Sequence, residues 1–322
     1  GSKLDKQSRL AYYSEYNFER LKDPNTGTIP IGIQSRVLNY VSKIPSRDDY
    51  SANTNNSQFN KIDTKPGMFN WQNIGPNNIG GRMNCVAYDV SDSRNIFAGA
   101  ASGGIWKSSD GGMSWSKRFP ANDNQTIYCI AQDTRKGKTS TWYAGSGELL
   151  STIDRKVNTL ARMSYYGDGI YKSTDNGHTW KILSSTQNPD VGKFTSKFQG
   201  VWNIVVESSV EDKDIVYAAC IGSIWKSLDG GENWKQILGD NNNIAFSTDL
   251  VRAKDGKLYA SISRISLNGN KPSSTGIFVS TNQGETWENI TPIGFPDTTK
   301  VIKLAVAPSN PNRLYAFADK PI

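Results

Sequence analysis

At 322 residues, with 36% of them hydrophobic, the chain can bury a sizeable core and falls outside the disordered class, and no apolar run is long enough for a membrane-spanning helix or a signal peptide. Its formal net charge of +7 is spread over turns and strand edges with no run of five basic residues, which argues against nucleic acid as a partner. The three cysteines, Cys85, Cys129 and Cys220, sit in apolar strand-like runs without CxxC or Cys/His spacing; they read as small buried hydrophobes, a Cys85–Cys129 disulfide is left open, and neither metal nor cofactor is predicted.

In chain order, Leu4 to Leu21 places Leu10, Tyr13, Phe18 and Leu21 at helical spacing ahead of Pro24, which predicts a helix. Asn25 to Pro30 reads as a turn, Ile33 to Ile44 as a second short helix before Pro45, and Ser46 to Gly67 as polar linker. Residues 1–67 are thus expected to be a helical leader and 68–322 a β domain. That domain opens on FNWQNIGPNNIGGR, residues 69–82, whose glycine pair precedes a first strand from Met83 to Val90.

From there one stretch recurs four times: GIWKSSDGGMSW from Gly104, GIYKSTDNGHTW from Gly169, SIWKSLDGGENW from Ser223 and GIFVSTNQGETW from Gly276. Each copy runs from an alternating strand into a tight turn and out on a tryptophan, the pattern of a hairpin. Asp110, Asp175, Asp229 and Asn282 are placed to accept from turn amides, Gly112, Gly177, Gly231 and Gly284 to take backbone angles that side chains resist. Trp115, Trp180, Trp234 and Trp287 are expected to anchor the turns to the core. The Asp/Asn positions lie 65, 54 and 53 residues apart, which suits one four-stranded propeller blade per repeat.

On these residues the chain resembles the Asp-box (BNR) repeats of sialidase-like and sortilin-type β-propellers. The resemblance implies an all-β propeller of four full blades and half of a fifth, with the boxes as structural staples of the blade rim, away from any substrate face. The leader and the 69–82 segment resemble the opening of large secreted propeller proteins of Bacteroidota, many of which leave the cell by type IX secretion. That implies a secreted or surface-displayed protein, a piece of a longer chain, with the outer-membrane translocon and its shuttle protein as partners during export.

Between the first two boxes lies an insertion, LLSTIDRKVNTLARMSYYG, residues 149–167; such a long connection in a regular repeat is the best candidate for a functional loop. Arg162, Tyr165 and Tyr166 in it are candidate binding residues, the tyrosines for stacking on a sugar or a partner chain, and Arg82 is a candidate facing the propeller axis. A sialidase would need an arginine-bearing Arg-Ile-Pro motif, where the leader has only GTIPIG. Xyloglucanase-like propellers hydrolyse with two carboxylates, for which Glu148 in GSGE and Asp168 in GDG are the candidates; both also fit plain turn chemistry. Asp89 and Asp92 share a turn that lacks the multi-ligand pattern calcium needs. His178, the only histidine, occupies a variable turn position and is expected to be exposed. The sequence therefore predicts a protein- or glycan-binding module, with a glycoside hydrolase as the alternative.

Overall fold

The computed structural model describes residues 19, 22–28, 81–120, 126–148, 166–188, 194–239, 245, 247–263, 274–296, 299 and 301–319. The expected leader helices, the linker, and the insertion up to Tyr165 lie outside them, apart from Glu19 and a turn at residues 22–28 in which the Asp23 carboxylate accepts from the Asn25 amide at 2.8 Å.

The β domain is a row of antiparallel meanders. The first sheet holds β1 (Met83–Tyr88), β2 (Ile96–Ala100), β3 (Gly104–Ser108) and β4 (Ser116–Lys117). The second holds β5 (Ile127–Gln132), β6 (Trp142–Ser146), β7 (Ile170–Ser173) and β8 (Lys181–Ile182). The third runs through β9 (Val201–Val206), β10 (Val216–Cys220), β11 (Ser223–Ser227) and β12 (Lys235–Gly239). The fourth comprises β13 (Thr248–Arg252), β14 (Leu258–Ile262), β15 (Gly276–Ser280) and β16 (Glu288–Asn289), and β17 (Ile302–Ala307) pairs with β18 (Asn310–Ala318) as a two-stranded fifth. These four-stranded blades make the chain a β-propeller.

Each second strand is buried nearly throughout: IFAGA, WYAGS, VYAAC and LYASI. Small residues sit where the sheets press together. A Cβ on Gly145 would lie 2.6 Å from Val201 Cγ1 of the next blade and 2.7 Å from Cys129 Sγ, so glycine here is a packing requirement. The core accordingly lies between blades: Phe97 and Ile105 of the first pack with Trp142 and Tyr171 of the second, and Trp202 and Tyr217 of the third with Leu250 and Phe278 of the fourth. The first strands contact one another in succession, β1 with β5, β5 with β9, β9 with β13 and β13 with β17, which puts them innermost, at the axis. The three cysteines are free thiols, and burial pushes that of Cys85 up to about 12.

The repeated turn closes the same way four times. The serine hydroxyl accepts from the glycine amide (Ser108 from Gly112 at 2.8 Å, Ser173 from Gly177 at 2.9 Å, Ser227 from Gly231 at 2.8 Å, Ser280 from Gly284 at 2.9 Å). The same hydroxyl donates to the Asp, or contacts the Asn282 Oδ1, at 2.7–2.9 Å. The Asp or Asn oxygen then accepts from the amide four residues on, at 2.9–3.0 Å. At Asn282 one bond reverses polarity, its Nδ2 donating to Thr286 Oγ1 at 2.8 Å.

These bonds favour the ionised acid: the Thr179 and Asn233 donors help hold the Asp175 and Asp229 carboxyls down at about 2, in Asp175 against an opposing desolvation, and Asp110 is held lower than its ordinary value by Ser114. Because the folded value is depressed, their contribution is present above the unfolded value near 4 and is lost as pH falls through the folded one. We expect the thermal midpoint to fall between about pH 4 and pH 2, and Asp175→Asn, which imitates the fourth copy, to flatten that fall; an unchanged slope in the variant would show that these acids do not set it.

The tryptophans behave differently from expectation in one copy. Trp180 is buried against Phe97 of the preceding blade, ring centroids 6.4 Å apart; Trp234 packs with Phe198 at 5.6 Å, and Trp287 against the core between the third and fourth sheets. Trp115, expected to be an anchor, is 41% exposed, its indole N–H donating to the Gly112 carbonyl at 3.1 Å. The reason is directional. The other three tryptophans each join a core shared with the preceding blade, Trp180 against Phe97, Trp234 in the cluster that holds Tyr143 and Leu183, and Trp287 in the cluster of the third and fourth sheets, and no described blade precedes the first.

A second repeated contact joins the blades in the other direction. Lys107 donates to the Asn176 carbonyl at 2.8 Å, Lys172 to the Gly230 carbonyl at 3.0 Å and Lys226 to the Glu285 carboxylate at 3.1 Å, each bridging to the turn of the next blade. Each ammonium also lies over an aromatic ring of its own blade, Phe97, Tyr143 or Tyr217, at 5.2–5.8 Å.

Candidate functional site

In a four-stranded meander the 1–2 and 3–4 connections share one end of the blade, and the 2–3 connection shares the other with the crossover to the next blade. The repeated turns are 3–4 connections, so they lie at what we call the turn end. Asp89 is there too, buried and accepting from Ser91, Gln132 and Asn176 at 2.6–3.1 Å; Asp92 is engaged by Arg94 at 2.9 Å, and His178 is exposed in the second turn. Glu148, Asp168, Tyr166 and Arg82 all belong to the opposite, loop end, where the 149–167 insertion leaves and re-enters the second blade.

Glu148 follows β6 after Gly147, whose φ of +97° and approach to the Gln199 carbonyl, 2.2 Å from where a Cβ would stand, admit only glycine. The turn pulls Glu148 inward until it is 2% exposed. Arg82, immediately before β1, clamps it across the blade boundary with two nitrogens, Nη2 donating to Oε2 at 2.8 Å and Nη1 pairing with Oε1. The two ends of this pair differ in environment: the Arg82 side chain is 54% exposed and that of Glu148 3%.

Asp168 is held where the chain returns. Its amide and that of Gly169 donate to the Ser146 hydroxyl at 3.0 Å each, its Oδ1 lies 3.0 Å from that hydroxyl, and the buried Tyr171 phenol donates to Oδ2 at 2.5 Å. Next to it the Gly167 amide donates to the Gln199 carbonyl at 2.7 Å, tying the loop to the entry of the third blade. There the Gln199 side chain accepts from the Thr195 and Ser196 amides at 2.6 and 3.0 Å. Tyr166 is half-buried, 6.2 Å from the Phe194 ring, and burial raises its phenol; it is a packing residue of this end rather than an open platform. Arg162 and Tyr165 lie outside the described residues.

The structure therefore brings Arg82 and Glu148 together, gives Asp168 its own set of donors, and makes Ser146, Tyr171 and Gln199 the residues that position them. Ser146 and Gln199 carry no motif that sequence inspection could have caught.

With this geometry the chain is a β-propeller that departs from its own regularity at one end. No family profile matches it. Among curated proteins it is similar to the xyloglucanase Xgh74A of Acetivibrio thermocellus, 28% identical over 217 residues, which cover 64% of this chain and 25% of that protein. It is also similar to a xyloglucanase of Hypocrea jecorina, 27% identical over 250 residues, covering 67% and 27%. The chain thus spans about a quarter of the length of these relatives. Among solved structures it superposes on an ancestral GH74 enzyme with a TM-score of 0.53 at 19% identity, covering 72% of this chain and 28% of that one. The GH74 xyloglucanase from Xanthomonas campestris gives 0.53 at 16%, covering 74% and 35%. At those identities the superpositions speak for the propeller fold.

Proposed function

We propose that the chain is a glycan-binding β-propeller of Asp-box type with xyloglucanase-like architecture, which holds a β-glucan such as xyloglucan at its loop end without cleaving it. The observation that carries this reading is the state of the two acids there. Glu148 is closed off by a two-point clamp from Arg82, and Asp168 is occupied by Tyr171 and Ser146, so each has the satisfied surroundings of a scaffold group; the similarity to xyloglucanases supplies the ligand class. Arg82, neutralised by Glu148, is poorly placed to serve a sialic-acid carboxylate, which supports a neutral glycan over an acidic one.

The test is calorimetric titration of the chain with xyloglucan, run beside a reducing-sugar assay. Saturable binding with no sugar released is the expected outcome. Release of sugar, abolished by Glu148→Gln or Asp168→Asn, would overturn it in favour of the second reading, a glycoside hydrolase, which the names of the curated relatives favour. We further propose that the protein is secreted or surface-displayed through the type IX translocon; normal export from cells lacking that translocon would refute the route.

A further inference from the structure

The second residue of each innermost strand differs from its neighbours in a revealing way. The flanking positions of these strands are mostly apolar, Met83, Ile127, Val201 and Ile302 before it and Cys85, Cys129, Leu250 and Leu304 after it. At this one position the five strands carry five different functional groups: the amide of Asn84, the phenol of Tyr128, the indole of Trp202, the carboxylate of Asp249 and the ammonium of Lys303.

In the first three sheets the register shifts across this residue, between Met83 and Cys85, between Ile127 and Cys129, and opposite Ala219 and Cys220. Such a bulge takes a side chain out of the ladder and re-aims it. The residues meet although they come from different blades. The Tyr128 ring lies 4.9 Å from Trp202, edge to face, and Lys303 of the fifth sheet stands over that ring at 5.4 Å. The Lys303 ammonium is 3.7 Å from Asp249, and Asn84 donates to the Ile127 carbonyl, next to Tyr128, at 2.9 Å.

Asp249 has a structural task as well, accepting from Asn203 and from the Leu304 amide at 3.0 Å each. The cluster still keeps unused polar capacity: the buried Trp202 indole N–H has no acceptor among the described residues, and the Lys303 side chain is 36% exposed. The position falls near the start of each inner strand, hence at the loop end, two residues beyond Arg82.

We infer that this cluster forms an axial binding site for one pyranose unit of a neutral glycan, in which the partly exposed Asn84, Tyr128 and Lys303 meet the ligand and the buried Trp202 and Asp249 hold them in place; it is the inner end of the glycan surface proposed above, on which this inference rests. A sugar ring presents C–H faces that pack on an aromatic and hydroxyls that pair with amide and ammonium. The charges at and above the site cancel, Lys303 and Arg82 against Asp249 and Glu148, which selects against charged ligands.

The test is calorimetry on the 322-residue chain with a xyloglucan oligosaccharide, comparing Lys303→Met and Tyr128→Leu with Tyr166→Ala at the loop. Lys303 stands 3.7 Å from Asp249, beyond hydrogen-bond reach, and Asp249 keeps its Asn203 and Leu304 donors, so the variant is expected to stay folded with a small fall in thermal midpoint while binding falls about tenfold through loss of a charged hydrogen bond. A second readout is the tryptophan fluorescence change on binding, expected to disappear in Trp202→Phe. Binding that survives in both axial variants and fails only in Tyr166→Ala, or binding unmoved in all three, would overturn the axial site and leave the glycan-binding reading standing. Failure of the unaltered chain to bind any saccharide would remove both.

Discussion

Arg135→Met is expected to cost about 3–5 kcal/mol of folding stability, more than any exposed charge substitution on this surface. Arg135 lies in the 1–2 connection of the second blade with its side chain 3% exposed. Its Nε donates to Asp133 Oδ1 at 2.9 Å and its Nη2 to Asp133 Oδ2 at 2.5 Å and Asp214 Oδ1 at 2.6 Å. Its Nη1 reaches the Val210, Glu211 and Lys213 carbonyls at 2.8–3.2 Å. One guanidinium therefore joins the second blade to the third at the turn end. Methionine fills the space but leaves the buried Asp133 carboxylate without its cation and three carbonyls without a donor, and stranding a buried charge is the costly way to break an ion pair.

On a domain of this size the loss corresponds to a fall of roughly 10 °C in thermal midpoint. Lys138, whose ammonium is 3.5 Å from the same Asp214 but half-exposed, is the control, and Lys138→Met is expected to change stability by less than about 1 kcal/mol. Chemical denaturation of both variants decides the matter: equal small losses would mean that Arg135 is not the joint between these blades.

The fold was legible because its signal is periodic and local. Serine, acid, glycine and tryptophan at fixed offsets specify a turn whose bonds all close within about seven residues, and four copies in register leave little room for another architecture. The failures come from information that is not local. Trp115 matches the other three tryptophans letter for letter, yet it is exposed because its packing partner would have to be a preceding blade. Lys107, Lys172 and Lys226 stand inside the recognised repeat, but their partners are 58–69 residues away, so the role of that lysine shows only when consecutive turns are set side by side.

The same holds at the loop end. Glu148 and Asp168 stood out because glycines flank them, and those glycines do mark the turns. What surrounds each acid comes largely from elsewhere, Arg82 from 66 residues upstream of Glu148 and Ser146 from 22 residues upstream of Asp168, across the insertion. Tyr166 reads in sequence as an aromatic at the end of a polar loop, and its half-buried contact with Phe194 shows that loop membership does not decide exposure. Tyr128 and Trp202 show the converse: inside apolar strands they read as core, and only the shifted register sets them apart.

The unequal burial of the Arg82–Glu148 clamp leads to an asymmetric expectation. Arg82→Met leaves the Glu148 carboxylate, 3% exposed, without its partner, and a loss of about 2–4 kcal/mol is expected. Glu148→Gln keeps the shape and an acceptor for one Arg82 nitrogen, while the half-exposed guanidinium turns its remaining donors to water, so the loss is expected to stay near 1 kcal/mol. The double variant should recover most of what Arg82→Met loses, because the buried charge is then gone; a double-mutant cycle by denaturant unfolding measures this directly. Equal losses in the two single variants, or a double variant no better than Arg82→Met, would mean that Glu148 is hydrated in solution and that the clamp does not close this end of the propeller. A hydrated Glu148 would be available to chemistry, which would move the balance from glycan binding toward hydrolysis.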